Sequence, residues 1–305
     1  MNEAFLVELR GLGPVRLDEP LSRHTTIGIG GPADVYFAAR TEEQLRAVLR
    51  AARGYGVPMF ILGAGSNVLV LDGGVRGLVI ENATDQVEGP VPNGAGFKVG
   101  VASGVSLAAL ARRLAFAGYA GLEWACGIPG TLGGAAIYNA SAYGNSLQDV
   151  LKGIRVLDPQ NGIVEMRPEE LALGYRNSAF TRGAMRGHVV LSLDLALQKG
   201  DPSALRARVR ELDARRLGAQ PRGRNAGSMF KNPAEHRAWW LIDQAGLRGH
   251  RVGNAQISHQ HTNFFLNLGG AKAADVLALM DMARSRVRER FGIELENEVA
   301  LVGEA

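Results

Sequence analysis

The sequence predicts an α+β protein of two or three domains, in which helices and strands mix without a regular alternation. Three observations carry this. A chain of 305 residues can bury one large core or, more readily, divide into two or three domains of ordinary size. Helical and strand-like hydrophobic patterns interleave irregularly along it. Its glycine-rich loops run into strands: Gly63-Ala64-Gly65-Ser66-Asn67 continues into Val68-Leu69-Val70-Leu71, and Gly28-Ile29-Gly30-Gly31 into Pro32 and Val35-Tyr36-Phe37. In a doubly wound dinucleotide fold the glycine fingerprint instead opens a helix, whose N-terminus meets the pyrophosphate. Here a phosphate would sit on N–H groups of a loop between strands, helped by the Ser66 hydroxyl and the Asn67 amide. Taken singly, each glycine loop is equally well a tight turn.

The elements follow from local chemistry. Thr41-Glu42-Glu43-Gln44 opens a capping box, and Leu45, Val48, Leu49 and Ala52 repeat at helical spacing until Gly54. Strand-like runs cover Val57 to Leu62, Val68 to Leu71, Leu78 to Ile80 and Phe97 to Ala102. Ser106 caps a second helix with Leu107, Leu110, Ala111 and Leu114 on one stripe and Gly118 at its end. Ile154 to Leu157 and Ile163 to Met166 flank Asp158-Pro159-Gln160-Asn161-Gly162, a hairpin signal. Val189 to Leu197 alternates as a half-buried strand does. Composition shifts at Lys199-Gly200-Asp201-Pro202, where a domain boundary is expected. An Arg-rich helix, a loop, a short helix near Trp239 to Ala245, a long helix over Ala271 to Phe291 and a strand over Glu298 to Val302 complete the chain. The stripe Val276, Leu279, Met280, Ala283 and Val287 is expected to face the core.

Between Gly127 and Gly144 the sequence GIPGTLGGAAIYNASAYG is almost free of side-chain charge and too long for a turn. Gly127, Gly130, Gly133 and Gly134 let a ligand approach main-chain N–H groups. With the loop at 63–67 this makes two cradles, which point to a large phosphorylated cofactor.

Composition narrows the class. The chain is 46% hydrophobic and 21% charged, as globular domains are. No run of about 18 apolar residues is present, and the N-terminus is acidic where a signal peptide is basic, so a soluble cytoplasmic protein is expected. A single cysteine, Cys126, excludes an internal disulfide framework and cysteine-rich metal or cluster sites. Net charge is +4, and seven arginines lie between Arg206 and Arg224 against Glu211 and Asp213. That run fits a solvated helix face, an anionic-substrate site or a nucleic-acid surface, although no aromatic interleaving accompanies it. His259 and His261, two apart, raise a metal site, but no third ligand has suitable spacing.

Seven segments, in order, resemble the UDP-N-acetylenolpyruvoylglucosamine reductase family, also called UDP-N-acetylmuramate dehydrogenases. They are HTTIGIGGPAD at 24–34, ILGAGSNVLVLDGG at 61–74, GLEWACGIPGTLGGAAIYNASAYG at 121–144, YRNSAF at 175–180, NAGSMFKNP at 225–233, QISHQHTNFFLN at 256–267 and LENEVALVG at 295–303. The resemblance implies a fold of the vanillyl-alcohol-oxidase type, with two α+β subdomains holding non-covalent FAD and a third α+β domain for substrate. Its expected boundaries are 1–82, 83–199 and 200–296, with 297–305 a C-terminal strand carrying a catalytic glutamate. It also implies the reaction: NADPH reduces the flavin, which delivers hydride to the enolpyruvyl group of the nucleotide sugar, giving UDP-N-acetylmuramate for peptidoglycan.

Arg176 matches the family arginine that meets the substrate carboxylate, Ser228 the proton donor, and Glu298 the glutamate on the enediolate. Glu298 helps only while it carries a proton, which predicts a carboxyl that stays protonated above the usual range in the substrate complex. Tyr175, Arg224, Lys231 and Asn232 match positions near the substrate, with Arg222 the alternative to Arg224 at the diphosphate. FAD contacts are expected from Gly63, Ala64, Gly65, Ser66 and Asn67, and from Ile128, Pro129, Gly130, Gly133 and Gly134. Cys126 is expected to be a buried small residue.

The 53 positions from Tyr175 to Ser228 are fewer than in members with an extra tyrosine-bearing loop, so the chain resembles the shorter, second type. Ser141 stands where the family usually has glycine, which puts close backbone approach there in doubt unless its φ is negative. Another flavin oxidase or dehydrogenase of the same superfamily, a non-catalytic flavin- or nucleotide-binding module, and an RNA binder are the competing readings. Oligomeric state is not readable.

Overall fold

The computed structural model describes residues 2–160 and 162–305, so Asn161 of the expected hairpin turn lies outside the described residues. Contacts group the chain into two compact units. One holds the residues up to Phe37, Ala51–Ile80 and Leu217–Ala305, and the other holds Ala38–Arg50 and Glu81–Arg216. Among the described residues no helix is long and apolar enough to cross a membrane.

The first unit opens with a helix, Glu3–Leu12, whose first free N–H group is met by the Asn2 side chain at 3.0 Å and whose Phe5, Leu6 and Leu9 are buried. Strand Val15–Pro20 pairs antiparallel with Pro32–Ala39, and the sheet continues through Val75–Asn82 to Met59–Leu62. The loop after Met59–Leu62 runs into Val68–Val70, as the glycine pattern requires. That strand is partnered in parallel by Ala300–Val302 from the far end of the chain, with Ala300 opposite Val68 and Val302 opposite Val70. Around this pair lies a core of Ile27, Leu69, Met229, Phe230 and Phe265, closed by the helix Ala273–Phe291, whose stripe Val276, Leu279, Met280, Ala283 and Val287 is fully buried. Burial of that stripe, at roughly 25 cal/mol per Å² of apolar surface, holds the helix where its own pattern placed it.

The second unit is built on an antiparallel sheet in the order Gly162–Met166, Leu151–Asp158, Val189–Lys199, Gly96–Ala102, Val87–Asn93. The two strands flanking the expected hairpin do pair, Ile154 opposite Met166 and Leu157 opposite Ile163. In Val189–Lys199 the alternating Leu191, Leu193, Leu195 and Leu197 are all buried. Helix Leu107–Phe116 starts at Ser106, whose hydroxyl accepts from Ala109 N at 3.4 Å. Helix Glu42–Gly54 starts at Thr41, which accepts from Gln44 N at 3.2 Å. The Gln44 side chain reaches back one residue further than a capping box predicts, to Arg40 N at 2.9 Å.

The Arg-rich helix runs over Pro202–Ala219, and its Val209 and Leu212 are buried in the core of this second unit. The composition shift at Lys199–Pro202 coincides with the turn from strand to helix, and contacts change from one unit to the other between Arg216 and Leu217.

Candidate active site

In the first unit, Ser228 and Glu298 lie 70 positions apart in sequence and are joined through one residue. Glu298 N donates to Met229 O at 2.9 Å, Ser228 pairs with Phe264 and Phe230 pairs with Asn297 as isolated bridges. Two short backbone stretches thus run side by side. The buried Asn263 fastens one of them: its amide accepts from Phe230 N at 3.0 Å and donates to Phe230 O at 2.8 Å, while its own carbonyl accepts from Met229 N at 2.9 Å. Both Ser228 and Glu298 are half-buried, so their side chains are held by rigid backbone and still reachable.

The loop at 63–67 belongs to this assembly. Asn67 Nδ2 donates to Glu298 O at 3.1 Å, and Ala300 N donates to Asn67 O at 3.0 Å. Thr26 N donates to Gly65 O at 3.0 Å, and the Thr26 hydroxyl donates to Asn225 O at 2.7 Å. Gly65 sits at φ +60, and a Cβ there would stand 2.1 Å from the His24 carbonyl oxygen, so only glycine closes this turn. The N–H groups of Ala64 and Gly65 donate to no acceptor among the described residues. Consecutive free N–H donors in a left-handed turn fit an oxyanion such as a phosphate.

In the second unit the stretch 127–144 is not uninterrupted loop. It contains a short helix, Leu132–Ile137, capped by Thr131, and a two-stranded ribbon in which Ser141 pairs with Ser146. Gly133 N donates to Ser103 O at 2.8 Å and Gly134 N to the Thr131 hydroxyl at 3.3 Å, so in the protein alone both N–H groups are already used. Gly130 takes φ +126, and Pro129 is exposed beside the half-buried Ile128. Ser141 is a strand residue outside the positive-φ set, which resolves how a side chain is tolerated there.

The same stretch carries the segment that holds Arg176. Gly174 and Asn177 exchange backbone hydrogen bonds of 3.0 and 3.3 Å, leaving Tyr175 and Arg176 as the central residues of a tight turn, with Arg176 at φ +50. Asn139, at φ +42 and buried, donates to Gly174 O at 3.1 Å, and the Ser178 hydroxyl donates to Ile137 O at 2.6 Å. Tyr175 is exposed at the turn's tip. Cys126, just before the stretch, is buried as expected, and burial pushes its thiol up to about 11, which suits packing and not nucleophilic attachment.

The comparisons with known proteins identify the family. Residues 220–302 match the family described as UDP-N-acetylenolpyruvoylglucosamine reductase, C-terminal domain, and residues 33–167 match the family described as FAD binding domain. A UDP-N-acetylenolpyruvoylglucosamine reductase of Rubrobacter xylanophilus is 44% identical over 95% of this chain and 95% of its own. The chain belongs to the UDP-N-acetylenolpyruvoylglucosamine reductase family. A relative of the same name from Lachnoclostridium phytofermentans is 40% identical over 100% of this chain and 99% of its own. The crystal structure of the Thermus caldophilus reductase superposes with a TM-score of 0.76 at 36% identity, covering 95% of this chain and 98% of that one. The fold class expected from the resemblance therefore stands, and FAD is the cofactor of a family whose N-terminal part is an FAD-binding domain. The free N–H pair at Ala64 and Gly65 fits that cofactor's phosphates.

The other family positions are placed as follows. The Arg224 side chain lies over Gly28, its Cδ 3.0 Å from where a Cβ would be, and the residue is exposed. Lys231 Nζ pairs with Glu296 at 3.3 Å, and Asn232 Oδ1 accepts from Ala238 N at 3.0 Å, tying the loop after Ser228 to the next helix. Thr26, Asn139, Asn263 and Asn267 escaped the sequence reading. The last donates to Ile27 O at 2.9 Å and accepts from Gly269 N and Ala271 N at 2.8 and 3.1 Å. A signal for two of them is present in NFFLN, where amides interrupt a run that is otherwise apolar.

Proposed function

We propose that this chain reduces the enolpyruvyl ether of UDP-N-acetylglucosamine enolpyruvate to UDP-N-acetylmuramate, with NADPH as electron source, in the cytoplasmic supply of peptidoglycan precursors. The observation that carries this reading is the backbone clasp that sets Ser228 beside Glu298 next to the 63–67 loop, in a chain whose relatives carry that reductase's name. The loops 63–67 and 128–134 would hold FAD, which would supply hydride-transfer chemistry between NADPH and the terminal vinyl carbon of the substrate.

The residues supply the rest. Hydride addition leaves negative charge on the carbon next to the carboxylate, delocalised as an enediolate. Arg176 meets that carboxylate, since a guanidinium binds two oxygens at once. Glu298 in its protonated form donates to the enediolate, where a fixed donor is worth most while charge is developing. Ser228 gives its hydroxyl proton to the carbanion carbon and regains one from solvent, completing a methyl group and a saturated lactyl carbon. Serine is a weak acid, so it needs the rigid mooring that Met229 and Asn263 give it. The loops 63–67 and 128–134 hold FAD, while Tyr175, Arg224, Lys231 and Asn232 contact the nucleotide. In this reading residues 1–82 and 83–199 are the cofactor subdomains, 200–296 the substrate part, and 297–305 the strand that brings Glu298.

The test is spectroscopic. Purified protein is yellow, is bleached by NADPH under nitrogen, and regains colour on adding the enolpyruvyl nucleotide but not UDP-N-acetylglucosamine. Colourless protein, or bleached protein that ignores the enolpyruvyl nucleotide, overturns the reading.

A further inference from the structure

The second half of the helix Ala273–Phe291 carries Arg284, Arg286, Arg288 and Arg290. The last three are exposed, and Arg284 is half-buried. The helix is docked by its apolar stripe, which does not include Arg284. Arg284 instead faces the backbone ladder that joins Ser228 to Glu298. Its Nη2 donates to Asn297 Oδ1 at 2.6 Å, and its guanidinium carbon stands 5.6 Å from the centroid of the buried Phe230 ring. Asn297 immediately precedes Glu298, Phe230 lies two residues after Ser228, and the two pair with each other across the ladder.

That ladder is short. Beside the Phe230–Asn297 bridge it has Glu298 N on Met229 O at 2.9 Å and Lys231 N on Glu296 O at 2.9 Å. Two strands in so brief a contact are marginal by themselves, so side chains must fix their register. Asn263 fastens the Phe230 main chain from one strand. Arg284 touches both strands with one planar group. Its Nη1 donates to Asp281 Oδ1 at 2.6 Å, one turn earlier on the same helix, which fixes the plane of the fork and so the direction of Nη2. Beyond Glu298 the chain is carried by the parallel pairing of Ala300–Val302 with Val68–Val70. Slack at Asn297 therefore falls on Glu298 and spares the 63–67 loop.

We propose that Arg284 is a positioning residue for the proton-transfer step: through Asn297 it holds the main chain of Glu298 in register with that of Ser228. This rests on the functional reading above for the chemistry of Ser228 and Glu298. Arg284 acts through the ladder, so its loss is felt when substrate recolours the flavin and not when NADPH bleaches it.

The test uses the holoenzyme with Arg284→Met, which keeps the apolar stem and removes the fork, Arg284→Lys, which keeps a charge near the Phe230 ring, and Asn297→Ala, which removes the acceptor. Arg288→Met, which breaks an exposed pair with Glu294 on the same helix, is the control. Stopped-flow absorbance reads the two half-reactions, and the thermal midpoint reads folding. In Arg284→Met, recolouring at saturating enolpyruvyl nucleotide is expected to slow by about 10–100-fold, the scale of an ångström-sized misplacement. Bleaching by NADPH and substrate affinity stay within twofold of wild type, Arg284→Lys falls in between, and Arg288→Met behaves as wild type. Asn297→Ala reproduces the loss, and the double variant is no slower than the worse single one, because both cut the same link. Recolouring within twofold of wild type in folded Arg284→Met, equal slowing of both half-reactions, or losses that multiply in the double variant overturn the proposal. If Arg284→Met does not fold, Arg284→Lys and Asn297→Ala are read by the same criteria. Wild-type protein that the enolpyruvyl nucleotide does not recolour sinks the functional reading instead. Amide hydrogen exchange at Glu298 and Lys231 then decides the register claim: faster exchange in Arg284→Met upholds it and unchanged exchange overturns it.

Discussion

In the first unit Ser228 and Glu298 are joined through main-chain hydrogen bonds, whereas in the second unit Arg176 and Arg216 are set by a tight turn, a glycine seat and charge. The first arrangement is a ladder: Met229, Asn263 and Asn67 fix backbone to backbone, and the side chains that matter only have to project from it. The second depends on side chains throughout, with Asn139 and Ser178 gripping the turn of Arg176 and the Arg216 stem seated on Gly127. A proton donor as weak as serine needs a fixed position more than it needs charge. The difference teaches that the two kinds of residue fail differently: substitutions in the first unit disturb geometry and stability together, and those in the second disturb affinity.

Three substitutions break or sharpen that contrast. Ser228→Ala has the largest expected effect. It leaves bleaching by NADPH intact and lowers reoxidation by substrate by about 10²–10⁴-fold, the usual weight of a positioned proton donor. Stopped-flow absorbance resolves the two half-reactions, and equal loss of both would mean that the variant is misfolded and the assignment unsupported.

Asn263→Ala comes next. It strips both partners from the buried Phe230 main chain, at roughly 1–3 kcal/mol for each group left unpaired. Urea denaturation should show that loss together with a fall in the substrate half-reaction; full activity at reduced stability would separate the clasp from the chemistry. Asn139→Ala is expected to cost about 1 kcal/mol for each hydrogen bond its side chain makes, with Gly174 O, Gln148 Oε1 and Gln148 N, with some added strain because Asn139 sits at φ +42. Its signature is a raised KM for the enolpyruvyl nucleotide with kcat of the same order. A kcat loss as deep as that of Ser228→Ala would erase the distinction between the two units.

Much of the fold was legible in advance because its signals are local. The stripe of the last helix, the cap at Ser106 and the alternating leucines of Val189–Lys199 each announce their own element. The parallel pairing of Ala300–Val302 with Val68–Val70 was not legible, since it joins segments more than two hundred residues apart and no local pattern specifies a partner. The candidates Ser228, Arg176 and Glu298 are proposed from the order of motifs around them. Asn139 and Asn263 were not, because a buried asparagine in a loop looks like any polar loop residue until its partners are known.

The residues between Gly127 and Gly144 divide along the same line. Their composition announces backbone that something must approach closely, since only glycine leaves that space. Which group approaches was decided by tertiary structure: Ser103 behind Gly133, and the Arg216 stem on Gly127. Local pattern determines what a segment can be, because propensity, capping and periodicity act within a few residues. Contact partners are settled only when distant segments compete for the same buried surface and the same hydrogen bonds, and in that competition Ser228 was placed beside Glu298.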